Sequence, residues 1–338
     1  MQKRSRNGVK RRNFIAGAAA CGGLFLFGKG SKAFAEGKKP AKGFLYNLCA
    51  GPNGRVYVSA TRATGASAID VFSKGAEGKV QRINEHVATG SGPLEFNYPQ
   101  GLAFNDRDEL FVVDANNGRI QVLKRHADDK FSFLRSLGEL GPKPGQFHTP
   151  RGLSCFNSQV YVADTRNHRI QIIEQVTGRV IEVIGEHGEK LGQFRRPTDV
   201  AVAPDGTIFV TDSGNARVQV ISTSWRKGSG EITLLTPPPV SGGGAKRAFK
   251  FPLTSIAIRS GSVYVMESSA EGKGSSAKAR ISVYRNSGEL WEWQGDHSTR
   301  LEERLADVKR PYAFSLAPQG GLYVSDMNSG MVHFIKEG

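Results

Sequence analysis

Cysteine is scarce: the 338 residues hold three, and only Cys49 and Cys155 lie beyond the N-terminal segment. Each sits in an apolar, strand-like stretch, so a disulfide framework is excluded and both read as small buried hydrophobes. Neither Cys-x-x-Cys nor Cys-x-x-Cys-His occurs, which removes thiol redox and haem attachment. Gly-x-Ser-x-Gly and Gly-Lys-Ser/Thr are missing too, so no nucleophile elbow or phosphate-cradling loop is encoded. The seven histidines (86, 126, 148, 168, 187, 297 and 333) show no ligand-pair spacing. Long hydrophobic runs are also lacking. FIAGAAACGGLFLFG is the most apolar stretch, and it is too short for a comfortable membrane span.

Acidic residues are absent from residues 1–35, which carry eight of the 46 Lys/Arg. Without them the formal charge falls from +15 to +7, a solvated-face value for a chain of this size. The basic start runs into Lys10-Arg11-Arg12-Asn13-Phe14-Ile15, then the apolar run, then Ala33-Phe34-Ala35 before Glu36. Paired arginines before Asn-Phe-Ile resemble a bacterial twin-arginine export signal, with Lys10 where Ser or Thr is usual. The expected organisation is a signal at 1–35, a short mature segment at 36–43, and one globular unit at 44–338. An uncleaved anchor and a lipoprotein modified at Cys21 are the alternatives, and membrane contact is expected only if the signal is retained.

The globular part repeats itself. FVVDANNGRIQVL (111–123), YVADTRNHRIQII (161–173), FVTDSGNARVQVI (209–221) and YVSDMNSGMVHFI (323–335) align without gaps. Upstream of each lies an x-Pro-x-x-apolar-small-apolar segment, at Pro99, Pro150, Pro197 and Pro311, with a fifth at Pro252. A degenerate unit, LYNLCAGPNGRVYVS (45–59), opens the series with Leu45 in the proline slot. Each unit reads as short strands separated by Pro-Asp-Gly-type or Asn/Gly-rich turns. Six such units predict an all-β, six-bladed β-propeller with four-stranded antiparallel blades. The chain stops after the third strand of unit six. A fourth is expected from EGKKPAKG (36–43), or the last blade has three. Trp225 to Lys250 reads as a long surface loop, and STRLEERLADV (298–308) as a short capped helix.

Within the repeat, Asp114, Asp164 and Asp212 recur with Arg119, Arg169 and Arg217, while the His168 slot holds Gly118, Ala216 and Gly330. A residue that varies while its neighbours persist does not carry a reaction. The carboxylate is expected to accept backbone N–H groups of the next turn and the guanidinium to fork onto it or onto nearby carbonyls. Unit five keeps the pair as Glu267 and Arg280. Unit one loses both, at Ala60 and Ala68, and unit six sets Met331 beside Asp326.

This pattern resembles the NHL-repeat family of six-bladed propellers, most clearly in unit three from Pro150-Arg-Gly-Leu to Asn167-His168-Arg169-Ile170. The resemblance implies fold far more than function. Lyases of that family place zinc-binding histidines after the strand-one proline. Here that slot holds Gln100, Arg151, Thr198, Leu253 and Tyr312, with Tyr46 in unit one, so a lyase of that type is disfavoured. The lactonases that resemble regucalcin bind a divalent metal at the propeller centre. Asn47 and Asp199 occupy the next slot and are the weak metal candidates, two oxygen ligands being too few alone. The expectation is therefore an exported, non-catalytic scaffold without cofactor. It would bind another exported protein or an extracellular ligand through Tyr46, Gln100, Arg151, Thr198 and Tyr312 at the channel mouth. A metal-dependent lyase or lactonase with atypical ligands is the alternative, and nucleic acid is not an expected partner.

Overall fold

A computed structural model describes residues 43–227, 231–235, 249–269, 279–286, 291–294, 308–327 and 329–336. The expected signal, nearly all of the short mature segment and the 298–308 helix except Val308 lie outside these residues.

Blade 1 comprises Gly43–Ala50, Val56–Arg62, Ser67–Lys74 and Val80–Val87 in antiparallel order. Blade 2 comprises Pro99–Phe104, Glu109–Asp114, Arg119–Arg125 and Phe131–Leu137, and blade 3 Leu153–Phe156, Gln159–Asp164, Arg169–Glu174 and Val180–Ile184. Blade 4 runs Asp199–Val202, Ile208–Asp212, Arg217–Ile221 and Ile232–Leu234; blade 5 runs Leu253–Arg259, Ser262–Ser268, Ala279–Asn286 and Trp291–Trp293. Blade 6 shows Pro311–Leu316, Leu322–Asp326 and Met331–Ile335, three strands among the described residues. The outer strand of blade 4 lies inside the stretch expected to be loop. It was missed because Glu231-Ile-Thr-Leu-Leu is short and framed by Gly/Ser and Pro runs, although Leu235 is buried.

Why both faces of each blade are apolar follows from the period of two along a strand. In the second strand of blade 2, Leu110 and Val112 enter the cluster shared with blade 1, while Phe111 and Val113 enter the one shared with blade 3. Further clusters join blades 3, 4 and 5, blades 5 and 6, and blades 6 and 1, so the ring closes on itself. Phe111 is fully buried. Truncating it to alanine removes one side of an inter-blade seam, at about 3–5 kcal/mol.

The connectors entering blades 2, 3 and 4 share one device. Thr89 bridges Phe96, Leu140 pairs with Phe147 and His187 bridges Phe194, all in parallel. The three phenylalanines are fully buried. Gly138 and Gly185 have φ of +78° and +86°, and a Cβ on either would overlap the phenylalanine ring that follows.

Candidate functional site

The repeated acid is buried in each blade that has one. In blade 3, Asp164 Oδ1 accepts the backbone N–H of His148 at 2.8 Å. Its Oδ2 accepts Asn167 Nδ2 (2.8 Å), Arg169 Nε (2.8 Å) and Gln171 Nε2 (3.0 Å). Arg169 Nη2 then donates to the connector carbonyls of Lys143 and Gln146, tying the blade to the chain entering it. Blades 2 and 4 repeat the arrangement, with Arg119 on Asp114 at 2.8 Å and Arg217 on Asp212 at 2.7 Å. Both oxygens of each carboxylate accept protein donors, so these acids are scaffold parts.

The residue after the tight turn explains the variable slot. Gly118, His168 and Ala216 all lie in the left-handed region, at φ of +63°, +57° and +51°. His168 Nδ1 accepts the N–H of Arg196 at 3.0 Å, and its ring lies 4.5 Å from that of His187. Burial, then His187 and Arg196, lower its pKa. The glutamines Gln121, Gln171 and Gln219 were not singled out from the sequence, though RIQ, RIQ and RVQ repeat them. Each bonds both the acid and the connector.

The other blades vary this theme. Glu267 keeps its arginine, Arg280, at 2.6 Å. Burial raises the Glu267 pKa, and Arg280 opposes the rise. Asp326 is capped instead by Ser329 Oγ at 2.8 Å and by the N–H groups of Lys309 and Arg310. Blade 1 pairs Ala60 with Ala68, yet it keeps an ion pair further along. Arg62 forks onto Asp70, at 2.9 and 2.5 Å, and reaches Glu85 at 2.7 Å.

At the channel mouth the six slots differ sharply in exposure. Tyr46, Gln100, Thr198 and Tyr312 are buried, and Arg151 is partly exposed. Tyr46 packs against Tyr98 and Tyr312, with ring centroids 4.8 and 6.0 Å away, making an aromatic wall across blades 6, 1 and 2. Burial and then Tyr98 push the Tyr46 hydroxyl pKa up. Thr198 Oγ1 donates to Leu253 O at 2.8 Å and so joins blades 4 and 5. Gln100 Nε2 bonds its neighbour's carbonyl, Pro99 O, at 3.2 Å. In blade 5 a register shift between Leu253 and Ser255 puts Thr254, not Leu253, in the slot.

Below the mouth, one apolar side chain per blade closes the channel: Leu48, Leu102, Leu153, Val200, Ile256 and Phe314. The cavity they leave, about 20 Å³, has room for about one water molecule. Asn47 and Asp199 also line it. Asp199 is buried with its oxygens on the N–H groups of Val200 (2.9 Å) and Ile256 (3.0 Å). Burial without a cation raises its pKa to about 7, against those bonds and one from Ser255. No cluster of three or more His, Cys, Asp or Glu suited to a metal occurs among the described residues. Asp199 and Asn47 share the cavity with Ser255 and Ser315, and the Asp199 carboxylate joins blades 4 and 5.

Comparison with known proteins agrees on the architecture. A family profile described as the NHL repeat matches residues 96–123 and 194–221, within blades 2 and 4, although unit three had looked clearest. The chain is 24% identical over 355 residues to Protein SUPPRESSOR OF QUENCHING 1, chloroplastic, of Arabidopsis thaliana, covering 92% of this chain and 31% of that protein. It is 34% identical over 118 residues to the Caenorhabditis elegans protein described as probable peptidyl-alpha-hydroxyglycine alpha-amidating lyase pgal-1, covering 32% and 31%. A solved structure of a Lactobacillus plantarum protein superposes with a TM-score of 0.51 at 15% identity, covering 90% of this chain and 86% of the other. The chain spans between 31% and 42% of the length of the first curated relatives it matches. It is a six-bladed β-propeller with NHL repeats in blades 2 and 4.

Proposed function

We propose that this propeller is an exported, non-catalytic scaffold that binds another exported protein or an extracellular ligand at its channel mouth. The observation that carries the reading is Arg151. Of the six mouth slots it alone holds a partly exposed residue, the others being buried. A guanidinium there suits a carboxylate, because its planar fork can donate two parallel hydrogen bonds. The tyrosine wall opposite supplies apolar contact beside it.

Export rests on Arg11-Arg12 and the apolar run after them. Replacing both arginines by lysine is expected to leave the chain in the cytoplasm on fractionation, and unchanged export would remove that half of the reading. For the mouth, titration with a short peptide bearing a free carboxylate is expected to weaken roughly tenfold in Arg151→Ala. Equal affinity in the variant sinks it.

The second reading is a metal-dependent lyase or lactonase. It draws on the similarity to the amidating lyase and on Asp199 with Asn47 in the channel. Elemental analysis of natively exported protein separates the two, since a stoichiometric transition metal favours the enzyme.

A further inference from the structure

Each repeated carboxylate receives a backbone N–H from the residue two places ahead of the proline that precedes or begins the innermost strand. The donors are Asn97 to Asp114 (2.7 Å), His148 to Asp164 (2.8 Å), Arg195 to Asp212 (2.7 Å), Lys250 to Glu267 (3.0 Å) and Lys309 to Asp326 (3.1 Å). The fold therefore uses only the main chain at this slot, and any residue but proline satisfies it. Yet four of the five side chains are basic or imidazole. Arg195, Lys250 and Lys309 are exposed, and His148 is partly so.

Since every main chain here is pinned to its own blade's acid, the repeat sets one of these side chains at the entry to each of blades 2 to 6, at the end where the innermost strand begins. Arg196, next in the chain, is exposed as well and adds to the ring. Among the described residues Lys250, Lys309 and Arg196 make no ion pair, and Arg195 meets only the exposed Glu189 at 3.8 Å. Blade 2 differs, with Asn97 in the slot and Glu95 nearby, so the fixed positive charge covers blades 4 to 6, with His148 at blade 3. Like charges gathered on one face oppose compactness, and the turn does not require them.

We propose that this collar of Arg195, Arg196, Lys250 and Lys309, with His148, docks an acidic segment of a partner protein over the channel mouth. Basic side chains at the separate entries to blades 4, 5 and 6 suit separate carboxylates on a loop. A nucleic-acid strand needs a continuous basic track along its phosphates, which this ring does not offer. The proposal deepens the mouth-binding reading and takes its location from it.

The test uses the full chain and a short glutamate-rich peptide, followed by fluorescence anisotropy at rising salt. In Arg195→Ser/Lys250→Ser/Lys309→Ser, affinity is expected to fall roughly tenfold or more with a shallower salt dependence. The denaturation midpoint should hold, because the backbone bonds remain. A control triple at the outer parts of blades 2 and 3, Lys124→Ser/Lys130→Ser/Arg179→Ser, is expected to bind like the unaltered chain. Unchanged binding in the collar variant, an equal loss in the control, or no peptide binding at low salt overturns the proposal. So does tighter binding of an oligonucleotide of equal charge. Arg151→Ala separates the two readings. If it keeps the peptide while the collar variant loses it, the mouth reading fails and the collar stands.

Discussion

Blade 3 and blade 1 fasten the same corner with the charges in opposite order. In blade 3 the acid ends strand two and the arginine begins strand three, as Asp164 and Arg169. In blade 1 the arginine ends strand two, as Arg62, and the acid is Asp70 on strand three. Asp70 stands opposite Val58, the register position that Gln171 holds opposite Val162. The polar position is thus kept while its chemistry changes. Both corners hold a desolvated ion pair across two strands, bidentate at Arg62–Asp70 and through Nε at Arg169–Asp164, whichever strand supplies the anion.

That view breaks most readily at Asp164. Asp164→Ala would strand the His148 N–H, Asn167, Arg169 and Gln171, and is expected to cost about 3–5 kcal/mol in urea denaturation. Asp326, held by Ser329 and two backbone N–H groups, with Met331 in the arginine slot, should cost less, about 1–3 kcal/mol. Equal losses would mean the guanidinium adds little.

Asp199 sharpens the contrast, as a buried acid with no arginine at all. Its folded pKa of about 7 lies above the ordinary carboxylate value, so the native state holds the extra proton between those limits. Stability from this group is fully present at low pH and declines as pH rises through about 7, by up to about 4 kcal/mol. Asp199→Asn should flatten that decline, while leaving the N–H of Val200 or Ile256 without its acceptor. A parent whose denaturation midpoint rises over the same range contradicts this.

The smallest effect concerns the left-handed slot. Ala216→Gly should stabilise by about 1 kcal/mol, since glycine already serves there in blades 2 and 6 at φ of +63° and +67°. A destabilised variant would show that the Ala216 methyl contributes more than its backbone strain costs.

Much of the architecture could be read from alternation and punctuation. Proline before the innermost strand, Asp at the end of the second and an Asn/Gly turn after it recur at fixed offsets, so blades 2 to 4 were legible residue by residue. The outer strand of blade 4 was not, because three residues of strand between Gly/Ser and Pro runs carry too little pattern. Arg62 with Asp70 escaped notice because a reversed pair does not align with its neighbours. At the mouth, spacing supplied the slot but not the exposure. Thr254 entered the slot only through a register shift, which spacing in the chain does not record.

By itself the sequence determined the repeat, its turns and the acid–arginine corner, because these depend on residues within a few positions of one another. Tertiary structure alone decided that Tyr46, Tyr98 and Tyr312 form one wall and that six apolar side chains close the channel. Those relations join blades far apart in the chain, and only closure of the ring sets the distances between them.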